Sequence, residues 1–420
     1  MFSLKSKHVG DGNSGSKNGG GNSLSLKIPL FYGFWFVFNA IMAHRVTIGN
    51  ELRDFRGHNT WATAILDNGF DLSNLYHNGV AFIAQFLEID IPIAASIFVL
   101  LMQMLLIIPI HYWAKHHLGE ALSEKWLIFV VAIASLAGSI PNLLGPNLMY
   151  YFAFGIRVWH NPTSFSVMPF VMMSFFLFCR VLEQANMSKT ERQGVIKGFK
   201  FDWYYVNLIV LTILIFLSVY GKVSWLPPFA MAALLYLFGW WAVAKFSLKR
   251  MIDCILIGLT FVPAGLLALW ISSDSVYARS EFVFQLTSHI RLFPVLLNLS
   301  FPLFALYFSW KQLKSSRIYQ MAWLAYGSAL LQGVFIIEVG REHHGNLTWA
   351  ILYSLNVLLM VSLIEFIKFV VECYPNSRKG MKWHTVVAYV GLTLAVLYMF
   401  GGLAYALHLY NAGGRDAFWI

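Results

Sequence analysis

Charge is the scarcest commodity in this chain: Asp, Glu, Lys and Arg make up 12% of 420 residues, against 58% hydrophobic ones. That is too few charges to coat a soluble globule of this length, so the soluble class is excluded. Cysteine is nearly missing too. Cys179, Cys254 and Cys373 fall in or beside apolar runs, which excludes a disulfide framework and offers no metal-ligand spacing. No small-residue cleavage site follows the first apolar run, so that run is an anchored span and not a removed signal peptide. Related motifs do not recur in the two halves, which argues against a transporter built from inverted repeats.

What the chain has in abundance is long apolar runs. They fall at 28–47, 91–113, 126–146, 163–183, 204–221, 224–244, 252–271, 292–310, 319–338, 348–371 and 384–409. Each is near the ~20 residues that a bilayer core requires. The expectation is an all-α, polytopic transmembrane protein of about eleven spans. Residues 1–26, rich in Gly, Ser, Asn and Lys, read as a disordered cytoplasmic tail, and 27–420 as a single transmembrane domain. The external segment 48–90 holds two amphipathic stretches: Phe55, Trp61, Ala62, Ile65 and Leu66 after Asp54, then Leu75, Phe82, Ile83, Phe86 and Leu87 after Asp71-Leu-Ser-Asn. These predict two helices lying flat on the outer leaflet.

Basic residues orient the chain. With these spans, twenty-one of the thirty Lys and Arg residues fall on one side, which marks the cytoplasm, and no loop on that side lacks one. The N-terminus is then cytoplasmic, and an odd count puts the C-terminus outside. The other nine are Lys222 and eight arginines: Arg45, Arg53, Arg56, Arg157, Arg279, Arg291, Arg341 and Arg415. External loops need no basic residues, and the arginine fork suits phosphate or carboxylate. This arginine-rich face points to a polyanionic ligand outside. The net charge of +10 reads as orientation bias and contact with lipid headgroups, not as a nucleic-acid surface.

Three polar runs could carry chemistry. Asp54-Phe-Arg-Gly-His58 gathers a carboxylate, a guanidinium (Arg56) and an imidazole just beyond the first span, although Asp54 also reads as a plain N-cap and Arg56 as a headgroup contact. Arg157-Val-Trp-His160-Asn161-Pro162-Thr163 combines a titrating His160 with a well-formed helix start, Asn161 before Pro162. Glu338-Val-Gly-Arg341-Glu342-His343-His344-Gly345-Asn346 lies between two spans, and its His-His pair lacks the spacing of a zinc helix motif. Lys222 and Arg291, at span ends, either snorkel to headgroups or join Arg157 and Arg341 around one anion.

At these residues the chain resembles the polytopic C-type (GT-C-like) membrane glycosyltransferases, which use polyprenyl-phosphate sugar donors on the external side. The likeness rests on Asp54 in the long first external loop and on the runs Val158–Thr163 and Glu338–Asn346, which are similar to runs in bacterial members. It implies a bacterial plasma (inner) membrane enzyme that transfers a sugar to a glycan or lipid acceptor with inversion. Asp54 would be the general base, with His58 beside it. Arg56, Arg157, His160, Asn161, Lys222, Arg291, Glu338, Arg341 and His344 are the candidate substrate-binding set, and membrane lipids are the other partners. No cofactor is called for, and a divalent cation stays open. The chain departs from many relatives in having no soluble external domain after its last span and no acidic residue in 147–162. A cell-envelope polysaccharide polymerase or ligase, or a lipid-linked oligosaccharide flippase, are the competing expectations.

Overall fold

The structure, a computed structural model, describes residues 26–49, 53–70, 74–119, 123–138, 140–143, 161–196, 199–274, 281–285, 292–339, 348–377 and 382–411. Of the site residues expected from sequence, Arg157, His160, Arg291, Arg341 and His344 lie outside the described residues, as does the side chain of Glu338.

Helices dominate. In chain order they are α1 (Lys27–His44), α2 (Arg53–Asn68), α3 (Leu75–Leu87), α4 (Ile91–Leu118), α5 (Glu124–Leu136), α6 (Pro162–Gln184) and a short α7 (Lys189–Arg192). A hairpin of β1 (Gln193–Ile196) and β2 (Phe199–Asp202) leads into α8 (Trp203–Gly221), α9 (Leu226–Val243), α10 (Leu248–Leu259) and α11 (Val262–Asp274). Then come β3 (Glu281–Phe284), α12 (Leu292–Phe308), α13 (Trp310–Ser315), α14 (Arg317–Phe335), β4 (Ile336–Val339), α15 (Thr348–Ser377) and α16 (Lys382–Asn411). β3 and β4 pair antiparallel, with Phe282 opposite Glu338. Among the described residues, seven helical stretches are long and apolar enough to cross a membrane: α4, α6, α8, α9, α10 and α11 taken as one, α15 and α16.

Local chemistry sets where these helices stop. The run 252–271 breaks into α10 and α11 at Thr260-Phe261, because Pro263 has no N–H to give to the carbonyl four residues before it. The run 319–338 leaves helix after Phe335 and enters strand β4. Asp54 sits in the first turn of α2 and not at its cap, so its charge acts on the positive end of the helix dipole.

Two helices form the interior. Every residue of α15 from Trp349 to Ile367 is buried, and 83% of the most apolar stretch of α6 is buried, whereas the corresponding stretch of α16 is only 28% buried. Hydrophobic contrast does not hold such helices together in lipid, so close backbone approach does. The crossing of α5 and α16 illustrates this. Gly138 N donates to Tyr398 O at 2.7 Å, and a Cβ on Gly402 would stand 1.8 Å from Leu136 O, so only glycine fits there.

The bundle has two distinct ends. At one, Arg45 Nε donates to Tyr410 O at 2.9 Å and its guanidinium lies over the Tyr410 ring, tying the residue just past α1 to the end of α16. That arginine is therefore engaged in holding the fold. At the other end, Glu365 of α15 is buried, accepts from Ser316 Oγ at 3.1 Å and pairs with Lys368 at 3.3 Å, while Arg317 donates to Leu182 O. These contacts lock α14, α15 and α6 together.

Amphipathic helices α2 and α3 cover the first end. Phe55, Ala62 and Ile65 of α2 turn inward, but Trp61 and Leu66 are exposed. On α3 the buried face is Tyr76, His77, Val80, Ala81 and Ala84, while Phe82 and Phe86 stack on each other outside. The apolar face expected for α3 is thus largely its outer one. Small and polar residues pack inward because they let α3 approach α4 and α6 closely, and the large rings remain for lipid.

Candidate functional site

The site is assembled at the end capped by α2 and α3, and it begins with helical spacing. Asp54 and His58 lie four residues apart on α2, hence on one face. Phe55, one position on, is fully buried and meets Phe165 of α6 with ring centroids 6.5 Å apart, which anchors that turn to the bundle. Tyr76 Oη donates to Asn59 Oδ1 at 3.0 Å and clasps α3 onto α2.

A second clasp brings in a distant segment. Asn74 caps α3 by accepting from Tyr76 N at 2.8 Å, and its Nδ2 donates to Gly221 O at 3.1 Å. Gly221 ends α8 where a Cβ would press against the Val167 backbone at 3.3 Å, so glycine allows this tight junction with α6. The next residue is Lys222, whose backbone is extended and whose ammonium lies 4.0 Å from the centre of the Trp349 ring. Asp54 is near enough for its charge to act on that ammonium.

Burial sets the protonation of both basic groups. Lys222 is only partly accessible, and loss of solvation pulls it from 10.5 down to about 7, with Asp54 opposing the fall. His58 is held down at about 3 by burial, then by His77, then by Lys222, so it is a neutral imidazole at physiological pH. Its Nδ1 lies 2.7 Å from His77 Nε2, and the two rings are nearly parallel at 5.0 Å. Trp61 stands edge-on to both rings at 5.2 Å.

The floor of the site comes from α6 and α15. Asn161 caps α6: its Oδ1 accepts from Ser164 N at 3.0 Å, from Thr163 Oγ1 at 2.8 Å and from Ser164 Oγ at 3.0 Å. Ser164 Oγ also meets Tyr353 Oη at 3.0 Å. Tyr353 lies one turn beyond Trp349 on α15, so one face of that helix touches both Lys222 and the start of α6. Such an arrangement offers a carboxylate able to take a proton, an amine able to meet an anion, and a neutral His58 ring hydrogen-bonded to His77.

Of the sequence-selected residues, the fold brings together Asp54, His58 and Lys222, and fixes Asn161 as a cap on the neighbouring helix start. Arg56 is exposed on α2, and Glu338 is a strand residue of β4. Sequence reasoning missed His77, Asn74, Trp349 and Tyr353. The available signal for His77 was a polar ring on the inward face of an otherwise apolar helix. Among the described residues no group of three His, Cys, Asp or Glu side chains is placed to hold a metal ion. Comparison with protein-family models, with curated proteins and with solved structures gives no match.

Proposed function

We propose that the protein is a membrane glycosyltransferase that moves a sugar from a polyprenyl-phosphate donor to a glycan or lipid acceptor at the external face. The observation that carries this reading is the convergence of Asp54 and His58 with Lys222 over Trp349, from segments far apart in the chain. The distribution of basic residues supports an external site with the N-terminus cytoplasmic. In this reading the shorter or less apolar helices α1, α5, α12 and α14 also cross, α10 and α11 cross as one broken span, and eleven spans put the C-terminus outside.

The chemistry is an inverting displacement. Asp54 takes the proton of the acceptor hydroxyl as its oxygen bonds to the anomeric carbon, and the bond from that carbon to the phosphate oxygen breaks. Phosphate leaves with an added negative charge. In this reading Lys222 and the neutral His58 are the preorganised donors that stabilise that charge without waiting for solvent to reorganise, which their mutual proximity supports. A polymerase or ligase would use the same elements with a longer glycan, so the size of the transferred group separates the two.

Reconstituted protein, a polyprenyl-phosphate sugar library and mass spectrometry of the products test the proposal. Asp54→Asn is expected to insert normally and to lose transfer by roughly 100-fold or more, the scale of a general base. Wild-type turnover by Asp54→Asn would remove Asp54 from this role.

A further inference from the structure

Resting on that reading, we infer that His77, on α3, is a positioning residue that fixes the ring of His58 and holds its proton on the nitrogen facing the donor phosphate. The geometry is specific. His58 Nδ1 and His77 Nε2 are 2.7 Å apart, and two ring nitrogens in such contact hold one hydrogen between them. Which partner supplies it decides what His58 presents on its opposite edge. If His77 donates, His58 accepts at Nδ1 and carries N–H at Nε2; if His58 donates, Nε2 is a bare lone pair.

The surroundings select the first arrangement. Lys222, whose charge acts on His58, favours a lone pair on the outer edge, but a departing phosphate engages that ammonium and adds negative charge, which with Asp54 on the same face of α2 favours N–H there when the donor is bound. His58 Nε2 makes no hydrogen bond among the described residues, so this edge is free for substrate. His77 is the rigid member. It is 6% exposed, on a helix held by the Asn74 cap, the Asn74 contact to Gly221 O and the Tyr76 clasp to Asn59, whereas His58 is partly accessible. A neutral imidazole fixed as a donor can polarise an oxyanion without bringing a second full charge beside Lys222. A metal reading of the pair lacks a third ligand among the described residues.

The test reads the tautomer directly. Protein labelled with ¹⁵N-histidine is placed in nanodiscs with a polyprenyl phosphate, and the His58 signal is identified among thirteen histidines by its loss in His58→Gln. Wild-type His58 is expected to show a protonated Nε2 and an unprotonated Nδ1. His77→Leu should scramble that pattern, and His77→Gln, which keeps an N–H donor, should preserve it. A protonated Nδ1 in the wild type, or an unchanged His58 signal in His77→Leu, overturns the assignment. If the Leu variant fails to fold, the wild-type pattern and the Gln variant decide. In transfer assays His77→Leu should lower kcat roughly tenfold or more at unchanged donor KM, with Gln restoring it, as for an outer hydrogen-bond partner. Wild-type kcat in His77→Leu overturns the role. A wild-type protein that transfers no sugar defeats the glycosyltransferase reading instead, while the tautomer still decides His77.

Discussion

Replacing Lys222 with Met should make the protein more stable at neutral pH and inactive in transfer. The ammonium is drawn from 10.5 in the unfolded chain to about 7 in the fold, chiefly by burial. A base with a lowered folded value binds fewer protons folded than unfolded between those limits, so stability rises as pH climbs from about 7 to 10.5. At ~1.4 kcal/mol per unit, burying the amine costs on the order of 4 kcal/mol at pH 7, of which roughly 2 kcal/mol is recovered by pH 9. The contact with the Trp349 ring offsets about 1–2 kcal/mol of that cost and is lost in the variant. The net expectation for Lys222→Met is a gain of about 2–3 kcal/mol at pH 7, and a flat response between pH 7 and 9 where the wild type gains. Tryptophan fluorescence during thermal unfolding in detergent, at one fixed scan rate, measures both. A Met variant that melts earlier than wild type at pH 7, or a wild type whose stability does not rise toward pH 9, would refute the argument. The residue would then be a stabilising contact and not a strained group retained for binding.

Other parts of the fold give independent tests. Asn74→Ala removes both the α3 cap and the link to Gly221 O, and should cost about 1–2 kcal/mol in the same melting assay. Gly402→Ala places a Cβ 1.8 Å from Leu136 O and should cost about 2 kcal/mol or more, while Gly33→Ala, with nothing within 4 Å, should be neutral or slightly stabilising; equal effects would dismiss the close crossing of α5 and α16. Reporter fusions after Lys200 and at Ile420 are expected to lie on opposite sides of the membrane, and a common side would break the count of eleven spans.

The sequence by itself determined the class of molecule and the lengths of most helices. A bilayer imposes the same demand on every span, so apolar length is a local property, and the start at Asn161-Pro162 follows from backbone chemistry that needs no partner, whereas the break at Thr260-Phe261 within the run read as one span is a finding of the fold. The sequence also singled out Asp54, His58 and Lys222, because charge beside a hydrocarbon layer is conspicuous in a chain with so little of it. Tertiary structure alone decided which side of each helix faces in. Amphipathic spacing marked Phe82 and Phe86 as one face of a helix, but only the fold shows that this face lies outside while Tyr76 and His77 pack inward. It alone revealed that α15 is the buried post and α16 a peripheral helix, although both are thirty-residue apolar helices. And it alone joined residues 54 and 58 to 74, 77, 222 and 349, since those contacts depend on a cap reaching Gly221 and on a ring beneath Lys222, which no local pattern encodes.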